Sequence, residues 1–227
     1  MKRLLVTLAL TSFAMLTPAL ASPFFFTTGN PDGRMATASR PASKDPEIES
    51  ADDFVLASAT SLDAATFTGL LPIGFSVVGV TVEIYRVFPG DSTVPPDGKV
   101  PTRVNSPSDV AFSVLDGTGG LTFSTSILSS SFTAANSVLN GINPLPNQTT
   151  GGEGAVIGQE VLFTVNFVSP LVLPADHYFF VPQVPVTNGN FLCLSAPEPL
   201  VPPGGPFPPA LPSWSRNGNR RCGARWL

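Results

Sequence analysis

An all-β fold, an antiparallel β-sandwich of jelly-roll type, is predicted by three observations. Apolar residues recur at every second position in one short run after another, the spacing that puts one face of a strand on a core. Proline and glycine fill 25 and 20 of the 227 positions, and each proline inside a helix costs about 3 kcal/mol. No stretch encloses a helix-length crossover between two strands, which parallel α/β architecture needs. Two stacked antiparallel sheets bury alternate residues without helices.

The chain starts with a different pattern. Lys2 and Arg3 precede the apolar stretch Leu4–Leu16, and Thr17, Pro18 and Ala19-Leu20-Ala21 follow. A cationic start, a short apolar segment and an A-x-A site are the three parts of a secretory signal peptide. The apolar part is shorter than the roughly 20 residues a membrane helix requires. Residues 1–21 are therefore expected to be removed, leaving a mature chain that begins at Ser22. It is expected outside the cytoplasm: extracellular, on the cell surface or in the periplasm. No transmembrane segment is expected after the leader, because later apolar runs are broken by Pro, Gly or Thr.

The mature chain divides into an extended N-terminal segment at 22–50, a sandwich domain at 51–196 and a proline-rich strap with a basic, disordered tail at 197–227. Phe24-Phe25-Phe26 can pin the lead-in to a core, and Asn30-Pro31-Asp32-Gly33 is a turn signal. Asp53–Leu56 and Ala64–Leu70 read as short strands. The clearest strand is Val77–Val87. There Val78, Val80, Val82 and Ile84 point inward, while Gly79, Thr81, Glu83 and Tyr85 face solvent. Phe88–Ser108, with five prolines, reads as a long surface loop. Val110–Val114 and Leu121–Ile127 flank a Gly-rich turn and predict a hairpin. Phe132–Leu139 is the one stretch with helical character. Val161, Phe163, Val165 and Phe167 alternate against Leu162, Thr164 and Asn166. Leu173–Val181 is a turn feeding an aromatic strand, and Phe191–Ser195 is the last full strand. Ten prolines lie between Pro182 and Pro212, so Leu200–Pro212 reads as a polyproline-like strap.

Charge excludes one class of partner. Ser22–Ser213 holds sixteen acidic and six basic residues, whereas nucleic-acid binding needs a basic footprint. Arg216, Arg220, Arg221 and Arg225 crowd the C-terminal end, which is read as a short disordered tail.

Several stretches together resemble a group of uncharacterised bacterial exported proteins, many of PEP-CTERM type. They are Thr28–Gly33, Ala51–Leu56, Val82–Pro89, Val100–Pro107, Asn136–Pro144 and Leu173–Pro182. The likeness runs from about Phe24 to Trp214 and implies export to the envelope or matrix; it brings no activity, cofactor or catalytic residue. PEP-CTERM proteins end in Pro-Glu-Pro, an apolar helix and a basic tip. Pro197-Glu198-Pro199 and the arginines are present here, but the proline-broken Leu200–Ser213 cannot be that helix. The change to arginine after Ser213 suggests a frameshifted or truncated end that has lost a strand.

Each chemistry-bearing residue has a plain alternative. Asp52-Asp53 offers carboxylate oxygens, yet calcium takes six to eight and no D-x-D-x-D-G loop supplies them. Hydrogen bonding to backbone amides is the favoured role of the pair. Glu83 and Glu160 would have to approach within about 5 Å to act as a retaining glycosidase pair, and nothing in the sequence joins them. His177 is the single histidine, and Asp176 is too close in sequence to orient it in a Ser-His-Asp triad. Cys193 lies mid-strand as a small hydrophobe, and a bridge to Cys222 is disfavoured. Tyr85, Tyr178 and Trp214 are the aromatics available to stack on a sugar, with Tyr85 the best placed. No catalytic, cofactor-binding or metal-binding residue is assigned. The expected function is a non-enzymatic surface, matrix or interaction role with a glycan or an envelope or matrix component as candidate partner. A carbohydrate-binding module is the second reading, and an extracellular hydrolase the third.

Overall fold

A computed structural model describes residues 29–41, 47–74, 76–86, 111–116, 119–140, 152–196 and 214–218. These residues form eleven strands. They are β1 (Met35–Ala38), β2 (Glu47–Leu56), β3 (Thr60–Leu71), β4 (Thr81–Arg86), β5 (Ala111–Asp116) and β6 (Leu121–Ala134), followed by β7 (Asn136–Val138), β8 (Val156–Leu173), β9 (Asp176–Gln183), β10 (Leu192–Leu194) and β11 (Trp214–Gly218). No helix occurs among the described residues. The first sheet has the order β6-β8-β3-β10-β1-β7, the second β11-β2-β9-β4-β5. The expected all-β class holds, in two sheets that share one core.

That core is made by the predicted alternation. On β8, Val161, Phe163, Val165 and Phe167 are buried, and the residues between them turn outward. On β4, Val82 and Ile84 are buried, as is Val80 just before the strand. From the second sheet come Phe54 and Leu56 of β2 and Tyr178 of β9. Each large side chain so buried contributes roughly 1.5–3 kcal/mol.

Four phenylalanines tie the layers together. Phe67 of β3 stacks on Phe163 of β8 with centroids 4.8 Å apart and planes 5° from parallel. Phe191 meets both edge-on, at 5.3 Å from Phe163 and 5.9 Å from Phe67. Phe67 also reaches Phe180 of β9, in the other sheet, at 6.1 Å. Such offset and edge contacts suit the ring quadrupole and add about 0.5–1.5 kcal/mol per pair beyond burial.

A second link between the sheets is polar. The Ser39 hydroxyl donates to the Pro182 carbonyl at 2.6 Å and accepts from the Ser50 amide at 3.2 Å. The Ser50 hydroxyl donates back to the Ala38 carbonyl at 2.9 Å. Both serines are fully buried, so these bonds satisfy groups that water cannot reach.

The ends of the first sheet are consecutive in sequence, separated by Ala135 alone. β6 pairs with β8 over its length, and β7 then runs parallel to β1. On its other side β7 is bonded by the approach to β8, where the Glu153 amide donates to the Ser137 carbonyl at 2.8 Å. The sheet therefore closes on itself at this end around a small cluster of Ala36, Ala38, Leu70, Ala134 and Leu192. At the Leu121 end β6 has no strand neighbour beyond β8 among the described residues.

Several expectations are corrected. Phe132–Leu139 is strand, not helix, because β8 and β1 supply partners for its backbone. Val110–Val114 and Leu121–Ile127 do not make a hairpin: β5 pairs with β4 and β6 with β8, in different sheets. The pairing is not wholly antiparallel, since β1 and β7 run parallel. The lead-in expected before residue 51 contributes β1 and the start of β2. Part of the expected disordered tail, Trp214–Gly218, is a strand whose Arg216 stands opposite Glu49 of β2. The signal peptide, Phe24–Phe26, the Phe88–Ser108 loop and the 197–213 strap lie outside the described residues.

Gly69 of β3 makes room for Phe191: a Cβ built there would stand 2.0 Å and 2.4 Å from two atoms of the phenyl ring and 2.9 Å from the Leu192 carbonyl oxygen. The ring is fully buried and cannot swing away. Gly69→Ala is expected to destabilise the protein by about 1–3 kcal/mol through overpacking, read as a lower urea midpoint. An unchanged midpoint would show that the ring is not held there.

Candidate functional site

The outer face of the ribbon β6–β8–β3 is a regular surface. Strict alternation sends Thr122, Ser124 and Ser126 of β6 outward, with Leu162, Thr164 and Asn166 of β8 and Ala64, Thr66 and Thr68 of β3. Register aligns them in three rows across the strands: Thr122–Asn166–Ala64, Ser124–Thr164–Thr66 and Ser126–Leu162–Thr68. Neighbours in a row are about 4.8 Å apart and successive rows about 6.8 Å. All nine positions are exposed or half-buried. The patch carries hydroxyl, amide and methyl groups and no charge. Asp63 and Glu160 are the only ionisable residues in these three strands.

The sequence candidates are placed elsewhere and apart. Glu83 lies in β4 of the second sheet and Glu160 in β8 of the first. Glu83 was expected on the solvent side but is buried, because β4 is flanked by β9 and β5 and the face it occupies is sheltered. The Asp52 carboxylate accepts the Asp53 amide at 2.9 Å, as the backbone-bonding role anticipates. His177 and Asp176 stand in β9 opposite Val55 and Leu56. Tyr85 is paired with Phe179 in register. Tyr178 is not available to a sugar: it is fully buried and stacks on Phe54 at 5.6 Å. Its hydroxyl donates to the Pro174 carbonyl at 3.0 Å, pinning the turn that carries the chain from one sheet to the other. Among the described residues no group of three His, Cys, Asp or Glu side chains is arranged to hold a metal ion.

Two polar clusters escaped the sequence reading. Asp32 accepts from the Ser195 hydroxyl at 2.6 Å and from the Arg34 amide at 2.9 Å, and Ser195 accepts from the Met35 amide at 3.0 Å. The Glu153 carboxylate accepts the Leu139 amide at 2.7 Å and the Asn140 amide at 3.3 Å. Both bind main chain and hold strand ends. The turn signal at Asn30–Gly33 marked the first cluster, but its partner at Ser195 is 163 residues away.

Cys193 is a free, half-buried thiol in β10, packed against the shared core. Cys222 lies outside the described residues. Burial pushes the Cys193 thiol from 9.0 up to about 12; a hydrogen bond with Ser39 opposes the shift and the charge of Asp52 adds to it. No family model, no curated protein and no solved structure matches this chain.

The raised thiol makes stability depend on alkaline pH. Below 9.0 both states hold the proton; between 9.0 and about 12 the unfolded chain has released it and the folded protein has not. Stability therefore falls across that interval, by at most about 1.4 kcal/mol per pH unit from this group. Urea midpoints of Cys193→Ala are expected to fall less steeply above pH 9.0 than those of the wild type. Equal slopes would contradict the assignment. For the same reason the folded thiol is expected to resist alkylation near neutral pH and to react on unfolding.

Proposed function

We propose that this is an exported, non-enzymatic protein whose jelly-roll sandwich serves a surface, matrix or interaction role. The observation that carries the reading is the uncharged Thr/Ser/Asn face of β6–β8–β3, with Thr164 at the centre of its rows. A regular array of neutral donors and acceptors fits contact with a neutral, hydroxyl-bearing polymer of the envelope or matrix. It offers no group with which to activate a nucleophile. The leader-like start at Lys2–Ala21 and the resemblance to exported, PEP-CTERM-type proteins support the same destination. A carbohydrate-binding role is the second reading, favoured by the match between these hydroxyl and amide groups and those of a sugar.

Expressed with its own N-terminus in a bacterial host, the protein is expected outside the cytoplasm with Ser22 as first residue, as read by N-terminal sequencing. Thr164→Glu is expected to weaken retention on neutral envelope or matrix polysaccharide about tenfold, since a buried charge must be desolvated. Recovery of the uncleaved chain from the cytosol would overturn the export reading. Equal retention of wild type and variant would remove this face from the function.

A further inference from the structure

A sheet edge is a row of backbone donors and acceptors ready to pair with another strand, and proteins that stay single protect such edges. Among the described residues the first sheet does so at one end and not at the other. β7 is only three residues long, and the Glu153 segment covers it through backbone and side-chain bonds. β6 is fourteen residues long and contains no charged residue and no proline. Its last part is covered: Gly33 lies against Thr133 and Phe132, and the Gly33 carbonyl accepts the Ala135 amide at 2.8 Å. Its first part, Leu121–Ile127, keeps an unbroken register with β8 on one side. On the other side it has no strand neighbour among the described residues. The run ends in two apolar side chains left in solvent, Ile127 at 60% and Leu128 at 52% exposure.

We infer that this edge is a dimer interface, formed by antiparallel pairing of Leu121–Ile127 with the same segment of a second copy. The segment is self-complementary about Ser124. A two-fold axis there sets Leu121 opposite Ile127, Thr122 opposite Ser126 and Phe123 opposite Thr125, with Ser124 facing its own copy. Leu121, Phe123 and Ile127 share the core-facing side of β6, and Thr122, Ser124 and Ser126 the outer side. Leu121 and Ile127 therefore meet each other, Phe123 meets the methyl-bearing Thr125, and on the outer side hydroxyls meet hydroxyls. The contact covers Ile127 and extends the hydroxyl rows across both copies. In a symmetric interface a charge on the axis is set against its own copy, which repels it. The absence of charge from β6 removes that penalty in a chain that carries a net charge of −4. The proline-rich stretches of this chain make poor alternatives as partners, because a ladder needs an unbroken series of N–H groups and proline has none. The inference rests on the edge alone and stands whether or not the outer face binds a polymer.

The test is sedimentation velocity of the full chain, expressed with its own leader, from micromolar to near-millimolar concentration. A concentration-dependent dimer is expected. Ser124 is exposed, so Ser124→Lys and Ser124→Glu are expected to fold normally by circular dichroism. Each places two like charges face to face and is expected to raise the dimer dissociation constant about tenfold or more. Mixing the two variants is expected to restore dimer, because the opposed charges then attract. A wild type that is monomeric throughout would overturn the inference. So would single variants that dimerise like the wild type, or a mixture that stays monomeric.

Discussion

The structure depends on its aromatic link between the sheets, Phe67 of the first, stacked on Phe163, against Phe180 of the second. Phe67 and Phe163 lie on paired strands, and Phe191 closes over both. Because Phe67 also reaches Phe180, the two sheets cannot separate without exposing several rings at once. Gly69 is the local condition for this arrangement, since any side chain there would occupy the space that Phe191 fills. The long strands β3 and β8 are thus held with one face on the core and the other toward solvent.

What the protein offers to a partner follows from that constraint. Alternation is strict where the core is aromatic, so the opposite face of the same strands receives the intervening residues, nearly all hydroxyl or amide. The buried Ser39–Ser50 bonds fasten β1 to the second sheet at the other end of the first. There the sheet curls closed and its edge is covered. At the opposite end β6 has, among the described residues, no strand neighbour beyond β8. Face and edge adjoin on β6, where Thr122, Ser124 and Ser126 belong to both.

Much of this was legible in the residues. Val161–Phe167 and Val77–Val87 announced their strands because a period of two with β-branched and aromatic residues fits little else, although the second strand begins only at Thr81 and Val78, expected inward, is exposed. The Thr/Ser rows were present in the sequence as the polar half of the same alternation, but only register shows that three strands bring them together. Pairing was the weak point. Val110–Val114 and Leu121–Ile127 flank a Gly-rich turn and still part to different sheets, because their partners β4 and β8 are remote in sequence. Phe132–Leu139 looked helical for its small residues, and the neighbours that make it a strand are again distant. Glu83 and Tyr178 show the remaining limit: alternation gives the side of a strand, whereas burial depends on what lies over that side. The pairing of Trp214–Gly218 with β2 had no local signal, since an arginine-rich stretch has no strand period of its own.

The most direct test of the account is the nuclear Overhauser contact between the rings of Phe67 and Phe180, measured on protein with selectively labelled phenylalanine. The centroid separation of 6.1 Å places ring protons of the two sheets close enough for a cross-peak. That cross-peak is expected, together with one between Phe67 and Phe163. A folded, strand-rich protein that shows the second and lacks the first would contradict the joining of the two sheets at this contact.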